Sequence, residues 1–250
     1  MNVLILAASG RLAPHVIKAL EGEHTLRLTD IKIDPQSDHE FLKVDISDPD
    51  QVMSAAKGMD AIINLSVQRN DQAFNVNARG CYNTMVSAVH HGIRRVINTG
   101  PHFTIAGATY ETFDYLLSPD IPPQPGTHIY PLTKSLGHEI CRVFTENHDI
   151  YVLTLLFYLF CDTNLMQEIG TPDQSTEDHD LTFPFAVSWK DAADVFLRAL
   201  SIKLEDLPSQ CELFNILTDI PHKKFSNEKT KQILGWQPSS NLEQFWRKMT

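Results

Sequence analysis

Short apolar runs alternate with amphipathic segments along most of the chain. Val3 to Ala7 is a continuous apolar run, and after a turn of small residues Leu12 to Leu20 carries apolar residues at helical spacing. A strand that is apolar along its whole length is typical of a parallel sheet covered on both faces, and the helix after it is a crossover connection. The start of the chain therefore predicts a buried parallel strand followed by its helix.

The same unit recurs along the chain, which predicts an α/β fold: a doubly wound parallel sheet with helices on both faces. Further strands are predicted at Leu26 to Thr29, Phe41 to Val44, Ala61 to Leu65, Arg95 to Asn98, Ile150 to Phe160 and Glu212 to Leu217. Helices are predicted at Asp48 to Lys57, Asp71 to His91, from about Tyr130, and at Lys190 to Leu200, Asn227 to Leu234 and Asn241 to Met249.

The stretch from Asp162 to Asp180 interrupts this alternation. It is polar and acidic, with scattered Gly and Pro, which is typical of a loop over a site. A chain of 250 residues is long enough for one α/β domain and need not be divided into two cores. We expect a single domain over residues 1–250, in which residues 162–185 and 205–250 form a small C-terminal lobe that covers the substrate.

Composition narrows the possible partners. The net charge of -10 and pI near 5.5 argue against binding to nucleic acid or to an anionic membrane, so we expect a small-molecule partner. The four cysteines are far apart and predict reduced, buried thiols, and the eleven histidines show no metal-ligand spacing, which predicts no metal site. No basic segment or long apolar run opens the chain, and we therefore expect a cytoplasmic protein.

Tyr130 and Lys134 form the first chemical signal. A spacing of four places both side chains on one face of a helix, where the ammonium lowers the pKa of the phenol and lets it exchange a proton with a carbinol oxygen. Both residue types are common, however, and the spacing also arises by chance. The pair therefore predicts hydride-transfer chemistry only together with a cofactor site.

The turn after the first strand has the spacing of a dinucleotide-binding loop. Alanine stands at the first and third glycine positions, Ala7 and Ala13, and only Gly10 keeps the glycine. A carboxylate twenty residues later, Asp30, is placed to accept hydrogen bonds from an adenosine ribose and to repel a ribose phosphate, which favours NAD over NADP. The alternative is that Asp30 only caps a turn with the residues that follow it.

Five further segments resemble the extended short-chain dehydrogenase/reductase family, which holds the sugar-nucleotide epimerases and dehydratases, over nearly the whole chain. They are Asp45-Ile46, Asp60 to Leu65, Asn77 to Asn83, Ser188 to Asp194 and Ile233 to Pro238. Within the family, Gly100 to Gly107 and Pro119 to Pro123, together with Tyr130 and Lys134, are most similar to the uronate dehydrogenase branch.

The resemblance implies a Rossmann fold and specific residue roles. Tyr130 would be the acid/base, Lys134 would lower its pKa and hold the nicotinamide ribose, and Asn77 would position Lys134 through a water. The family's usual dimer implies a homodimer through the helices near 77–89 and 130–143. The residues expected to bind the cofactor are Ser9, Gly10, Arg11, Leu12, Asp30, Asp45, Ile46, Leu65, Tyr130 and Lys134.

Two features depart from the family pattern. The Ser or Thr that usually follows the fifth strand is missing, and His102 stands at or beside its position. An imidazole N–H from His102, or the hydroxyl of Thr99 or Thr104, would have to replace it, unless His102 is simply a packed core histidine. The loop from Asp162 to Asp180 also contains no Arg or Lys to meet a uronate carboxylate or a nucleotide diphosphate.

These observations predict an NAD-dependent oxidoreductase or epimerase/dehydratase that acts on a sugar-like hydroxylated small molecule. Tyr130 would exchange the hydroxyl proton as hydride moves to or from the nicotinamide. The altered glycine loop and the missing hydroxyl leave one alternative, a catalytically degenerate NAD(P)-binding sensor or partner subunit.

Overall fold

A computed structural model describes residues 1–106, 116–163, 186–219 and 225–242. Its strands are β1 (Asn2–Leu6), β2 (Thr25–Asp30), β3 (Glu40–Lys43), β4 (Ala61–Asn64), β5 (Arg95–Pro101), β6 (Tyr151–Phe157), β7 (Leu159–Cys161), β8 (Ala186–Ser188) and β9 (Cys211–Ile216). Its helices are α1 (Ala13–Leu20), α2 (Pro49–Ala56), α3 (Gly80–His91), α4 (Phe103–Ala106), α5 (Ile129–Asn147), α6 (Trp189–Ser201) and α7 (Glu228–Leu234).

Seven of the strands form one parallel sheet in the order β3-β2-β1-β4-β5-β6-β9. The strand order reverses at β1, which pairs with β2 on one side and with β4 on the other. In open sheets of this kind the crevice outside the carboxyl ends of the strands at the reversal is the usual ligand site. The predicted doubly wound parallel sheet is confirmed, and it directs attention to that edge.

Helices cover both faces of the sheet because the central strands are apolar on both sides. On one face α1 and α6 pack against β1 and β6, with residues such as Val16 and Phe196 fully buried. On the other face α2, α3 and α5 supply residues such as Val52, Met85 and Cys141. The strands thus lie in the middle of a three-layer core.

Two predicted elements divide in the structure. The predicted helix from Asp71 to His91 becomes a π-helical turn, Phe74–Arg79, that runs into α3. The predicted strand from Ile150 to Phe160 divides into β6 and β7, and β7 pairs with β8 in a separate two-stranded sheet. There the ring of Phe160 stacks on Trp189 with centroids 4.4 Å apart, which draws the chain away from the main sheet.

The C-terminal part of the chain is anchored to α6 by a buried carboxylate. Asp191 accepts hydrogen bonds from the backbone and hydroxyl of Ser239, at 2.8 and 2.7 Å, and from the backbone of Ser240 at 3.1 Å. The indole of Trp236 donates to the carbonyl of Asp191 at 3.0 Å. These contacts join the segment Ser188 to Asp194 to the segment that follows Ile233, although the residues in contact are more than forty positions apart in sequence.

The boundaries of the predicted lobe are only partly described. β9 falls inside the range 205–250 assigned to the lobe, yet it is a strand of the main sheet beside β6. The range of the predicted lobe therefore includes part of the Rossmann core. Residues 164–185 and 243–250, which carry most of the predicted loop and the last predicted helix, lie outside the described residues.

None of the four cysteines forms a disulfide. Cys81, Cys141 and Cys161 are buried as predicted, whereas Cys211 is partly exposed. Within the described ranges, no helix combines the length and the apolar character needed to cross a membrane.

Candidate active site

A cleft of about 290 Å³ opens at the carboxyl ends of the strands, where the strand order reverses. Its walls come from the segments that follow β1, β2, β3 and β4. Six residues expected to bind a cofactor line it: Ser9, Gly10, Asp30, Asp45, Ile46 and Leu65. Residues that are distant in sequence therefore meet in one cavity.

The two alanines that replace glycines in the nucleotide turn differ in backbone conformation and in their distance from the cleft. Ala7 adopts φ 62°, a left-handed conformation that glycine favours, so the turn keeps its tight shape at some cost in backbone strain. The adjacent Ala8 N–H donates to the Thr29 carbonyl at 2.8 Å and fixes the turn against β2. Ala13 is fully buried in the core, so only the Ala7 methyl is a neighbour of the cleft.

Gly10 leaves space that the chain itself does not fill. A Cβ added at Gly10 would meet only the Ala7 carbonyl oxygen, at 3.6 Å, which is ordinary van der Waals contact. At Leu12, where α1 begins, no side chain caps the helix. An uncapped helix N-terminus beside open space is a suitable position for a phosphate group.

Asp30 faces the cleft and also stabilises the turn. One carboxylate oxygen accepts the Ser9 N–H at 3.0 Å and the other accepts the Lys32 N–H at 3.2 Å. A carboxylate has about four acceptor positions, so these two bonds leave capacity for ribose hydroxyls. The contacts with Ser9 and Lys32 show Asp30 as a turn residue, and its binding of the ribose stays a prediction.

Lys134 is buried on α5 and is held between two strand ends. Its ammonium donates to the carbonyls of Ser66 at 2.7 Å and Thr99 at 2.8 Å, beyond β4 and within β5. Only 4 % of the residue is exposed, and burial lowers its pKa to about 8. The side chain therefore stays mainly protonated at neutral pH.

Tyr130 lies in the first turn of α5, one helical turn before Lys134. Burial raises the pKa of Tyr130, and the positive charge of Arg69 opposes that rise. The guanidinium carbon of Arg69 is 5.0 Å from the centre of the Tyr130 ring. Arg69 is thus a cation that acts on Tyr130 in this structure, and the effect of the Lys134 ammonium on the pKa of the phenol stays a prediction.

Asn77 has partners other than the predicted water-mediated contact with Lys134. Its side-chain oxygen accepts the Gln68 N–H at 2.9 Å, and its amide donates to the Gln68 carbonyl at 2.7 Å and to the Thr133 hydroxyl at 2.9 Å. Asn77 therefore ties the segment after β4 to α5. This places it beside the site as a positioning residue.

The three residues considered as replacements for the missing hydroxyl have contacts with other groups of the protein. His102 is buried, stacks on Tyr158 with centroids 4.1 Å apart, and approaches the Phe157 carbonyl at 3.4 Å. Burial lowers the pKa of His102 to about 3, so the ring is neutral. The hydroxyls of Thr99 and Thr104 donate to backbone carbonyls at 2.8 and 2.9 Å. The role of His102 on the reacting oxygen stays a prediction.

Sequence reasoning missed two residues of this region. Arg69 lies in the segment after β4, at the carboxyl edge of the sheet where ligands usually bind. This position in the sequence could have identified it as a candidate site residue. His138 continues the Tyr130–Lys134 spacing by another four residues, is buried, and has a pKa lowered to about 3 by burial. Its ring packs directly on Gly100.

Comparison with known proteins agrees with this geometry. A model of the NAD dependent epimerase/dehydratase family matches residues 3–162. The chain is 22% identical to an L-arabinose 1-dehydrogenase (NAD(P)(+)) of Haloferax volcanii, over 96% of this chain and 97% of that protein. It is 21% identical to an NAD-dependent glucose-6-phosphate dehydrogenase of the same organism, over 97% of this chain and 95% of the other.

Solved structures show the same fold. A mutant of uronate dehydrogenase from Agrobacterium tumefaciens, complexed with NAD, superimposes with a TM-score of 0.76 at 22% identity. The match covers 98% of this chain and 86% of that chain.

Proposed function

The chain belongs to the NAD dependent epimerase/dehydratase family, and from this premise we propose that it is a cytoplasmic NAD-dependent oxidoreductase or epimerase for a sugar-like hydroxylated small molecule. Tyr130 exchanges the hydroxyl proton of the substrate. The lack of disulfides among the four cysteines is consistent with a reducing compartment.

The observation that carries this proposal is the position of Lys134. Burying an ammonium is costly unless strong acceptors surround it, and here two carbonyls from adjacent strand ends bind it at 2.7 and 2.8 Å. The lysine is therefore fixed at the carboxyl edge of the sheet, with Tyr130 one helical turn away. That arrangement serves proton transfer beside a nucleotide and has no evident structural need.

The described residues fit NAD. The cleft at the strand reversal offers an uncapped helix N-terminus, the space above Gly10 and the carboxylate of Asp30, which suit a pyrophosphate and an adenosine ribose. Asp45, Ile46 and Leu65 line the part of the cleft where the adenine would lie. When bound, NAD supplies the hydride acceptor or donor.

Asp30 makes NAD the preferred cofactor over NADP. An additional phosphate on the ribose would lie against this carboxylate and be repelled. Lys32 lines the same cleft and reduces that repulsion, so the preference depends on Asp30 being nearer to the ribose.

Tyr130 and Lys134 act on the substrate hydroxyl. The phenol takes the proton when the alcohol is oxidised and returns it in the reverse direction. Because burial raises the pKa of Tyr130, the phenol is protonated at rest, and a nearby cation is needed to stabilise its phenolate. Lys134 holds the nicotinamide ribose in this proposal.

Replacing Tyr130 with phenylalanine tests the mechanism. Y130F should lose turnover while calorimetry shows unchanged NAD affinity, because the phenol contributes a proton and little cofactor contact. The substrate panel consists of uronates, sugar phosphates and neutral aldoses, followed by absorbance at the nicotinamide band. Tyr151→Phe is the matched control, since Tyr151 also lies under an arginine, Arg94 at 5.5 Å, but at the opposite edge of the sheet.

Three outcomes distinguish the alternatives. Full activity of Y130F would refute the mechanism. NAD binding without turnover on any substrate of the panel would favour a non-catalytic NAD-binding protein. No binding of NAD or NADP would remove both functions.

We also propose a homodimer through α3 and α5. Tyr82 and Val143 on these helices are 50% and 43% exposed, and Tyr82 packs edge-on against Phe144 with centroids 5.7 Å apart. Light scattering should give a dimer mass for the wild type and a monomer mass for Val143→Glu. Ile33→Glu, at a position 46% exposed outside these helices, is the control. A monomeric wild type would contradict the proposal.

A further inference from the structure

Arg69 places a positive charge next to the phenol that we propose to be catalytic. It follows β4 by five residues, is exposed at the carboxyl edge of the sheet, and has its guanidinium carbon 5.0 Å from the centre of the Tyr130 ring. Its positive charge opposes the rise in the pKa of the phenol that burial causes. The reacting oxygen of a substrate would therefore lie near this cation.

No carboxylate among the described residues forms an ion pair with Arg69. Some other arginines do form ion pairs, such as Arg27 with Glu40 at 2.7 Å and Arg94 with Asp149 at 2.8 Å. The chain carries 31 acidic against 21 basic residues, so the lack of an ion pair between Arg69 and the described carboxylates is not explained by a shortage of carboxylates. Among the described residues, no carboxylate competes with a ligand for the charge of Arg69.

The backbone that carries Arg69 is held in place. Gln68, its neighbour, exchanges two hydrogen bonds with the side chain of Asn77, at 2.9 and 2.7 Å. Asn77 also donates to Thr133 on the Tyr130 helix at 2.9 Å. The backbone that carries Arg69 and the helix that carries Tyr130 therefore belong to one hydrogen-bonded unit, which fixes where the arginine side chain begins before a ligand arrives.

We propose that Arg69 is a specificity-determining residue that binds an anionic group of the substrate, a carboxylate or a phosphate. The substrate is then a hydroxylated acid or a sugar phosphate and not a neutral sugar. This inference rests on the proposed function, since it assigns the substrate class of the same site.

The guanidinium has the capacity for this role. It carries five N–H donors in a planar fork, and contact with the Tyr130 ring and phenol uses only part of them. The remaining edge matches a carboxylate or phosphate in a two-bond geometry. Lys134 is less suited to this role, because two carbonyls bind its buried ammonium and the proposed function assigns its third N–H to the nicotinamide ribose.

The sequence and the relatives leave room for an anion receptor in this chain. Asp162 to Asp180 contains no Arg or Lys to meet a substrate anion, so the cation has to come from elsewhere in the chain. The similar proteins include one named for a neutral sugar and two named for anionic ones, a sugar phosphate and a uronate. The fold therefore allows both classes, and a local charge is what would separate them.

Arg69→Gln tests the proposal with NAD-saturated protein. For a uronate or a sugar phosphate, kcat/KM should fall by about 100-fold, mainly through KM, as expected for a lost charge-assisted pair. For neutral aldoses of the same panel the change should be under about threefold. Arg69→Lys should restore part of the loss, because it keeps the charge without the fork. Comparing uronates with sugar phosphates identifies the anion.

Arg94→Gln is the matched control, since Arg94 lies over Tyr151 as Arg69 lies over Tyr130. It should leave both substrate classes unaffected. Calorimetry of glucuronate and glucose 6-phosphate binding to the NAD-bound protein provides a second measurement that needs no turnover. At least one of the two should bind the wild type and bind R69Q much more weakly.

Several results would overturn the proposal and leave the proposed function intact. One is a wild type that oxidises neutral aldoses only. Another is an equal loss for charged and neutral substrates in R69Q, which would indicate that Arg69 acts only on the phenol. Failure of both anions to bind the wild type would also overturn it. Failure of the proposed function is distinguished by full activity of Y130F.

Discussion

Replacing Gly100 with alanine tests a close approach that supports the Tyr130 helix. Gly100 lies in β5, directly below α5. An added Cβ would be 2.6 Å from Nε2 and 2.7 Å from Cε1 of His138, and 3.3 Å from a methyl of Leu156. Contacts under 3.0 Å essentially do not occur, so the imidazole or the strand must move.

The expected cost follows from what surrounds the ring. His138 is buried and neutral, because burial lowers its pKa to about 3, so it has no solvent to move into. Adding a methyl group to a packed core typically costs about 1–3 kcal/mol. For a chain of this length, each kcal/mol lowers the melting temperature by roughly 2–4 °C.

A double-mutant cycle isolates the contact. The melting temperature and urea midpoint of G100A are compared with those of His138→Ala and of the double variant. Removing the ring leaves room for the methyl, so the cost of G100A should largely disappear in the H138A background. Gly22→Ala is the control, since a Cβ there meets nothing within 4 Å. A cost of G100A that is equal in both backgrounds, or absent, would refute the reasoning.

Three further predictions concern the cofactor turn, the C-terminal anchor and the buried lysine. Gly10→Ala should weaken NAD binding about tenfold or more in calorimetry, because the new methyl would occupy space needed by the ligand, and it should leave the melting temperature unchanged. A lower melting temperature that accounts for the weaker binding would contradict this prediction. Asp191→Ala should lower the free energy of unfolding in urea by about 2–4 kcal/mol, because it leaves the N–H groups of Ser239 and Ser240 without an acceptor. The control is Asp194→Ala, at an exposed ion pair, which should change the free energy of unfolding by less than about 0.5 kcal/mol. The pKa of Lys134 falls from 10.5 in the unfolded chain to about 8 in the folded chain, so the unfolded chain binds more protons between pH 8 and pH 10.5. The free energy of unfolding of the wild type, minus that of Lys134→Met, should therefore rise by about 3 kcal/mol from pH 8 to pH 10.5. A difference that does not change with pH would refute the shift.

The fold was predictable because its signals are local. β1, β4 and β6 are almost entirely apolar because both of their faces are buried, and β1 to β6 were located within a few residues from such apolar runs. The nucleotide turn was also recognisable, since its spacing is fixed within seven residues. The division of the last predicted apolar run into β6 and β7 was not, because it depends on stacking of Phe160 against a residue from α6.

The site was predictable in its members but not in their contacts. Tyr130 and Lys134 share a helix face by their spacing, yet which cation neighbours the phenol depends on where the segment after β4 runs. The family resemblance implied a contact of Asn77 with Lys134 through water and gave no sign of its direct hydrogen bonds to Gln68 and Thr133. Such contacts join segments that the sequence leaves separate, and only the packing of the sheet brings them together.

The acidic composition of the chain excludes fewer partners than it first suggests. A net charge of -10 disfavours polyanions, which interact with the whole surface, but a small anion in a crevice responds mainly to charges within about a Debye length of 10 Å. At this crevice the chain places Lys32 in the wall of the cleft, Lys134 beneath it and Arg69 at the phenol. The Lys134 ammonium is already bound by two carbonyls and Lys32 lines the Asp30 side of the cleft, whereas the guanidinium of Arg69 is exposed beside the Tyr130 ring. In our proposal this local charge, and not the overall charge, determines whether an anionic substrate binds.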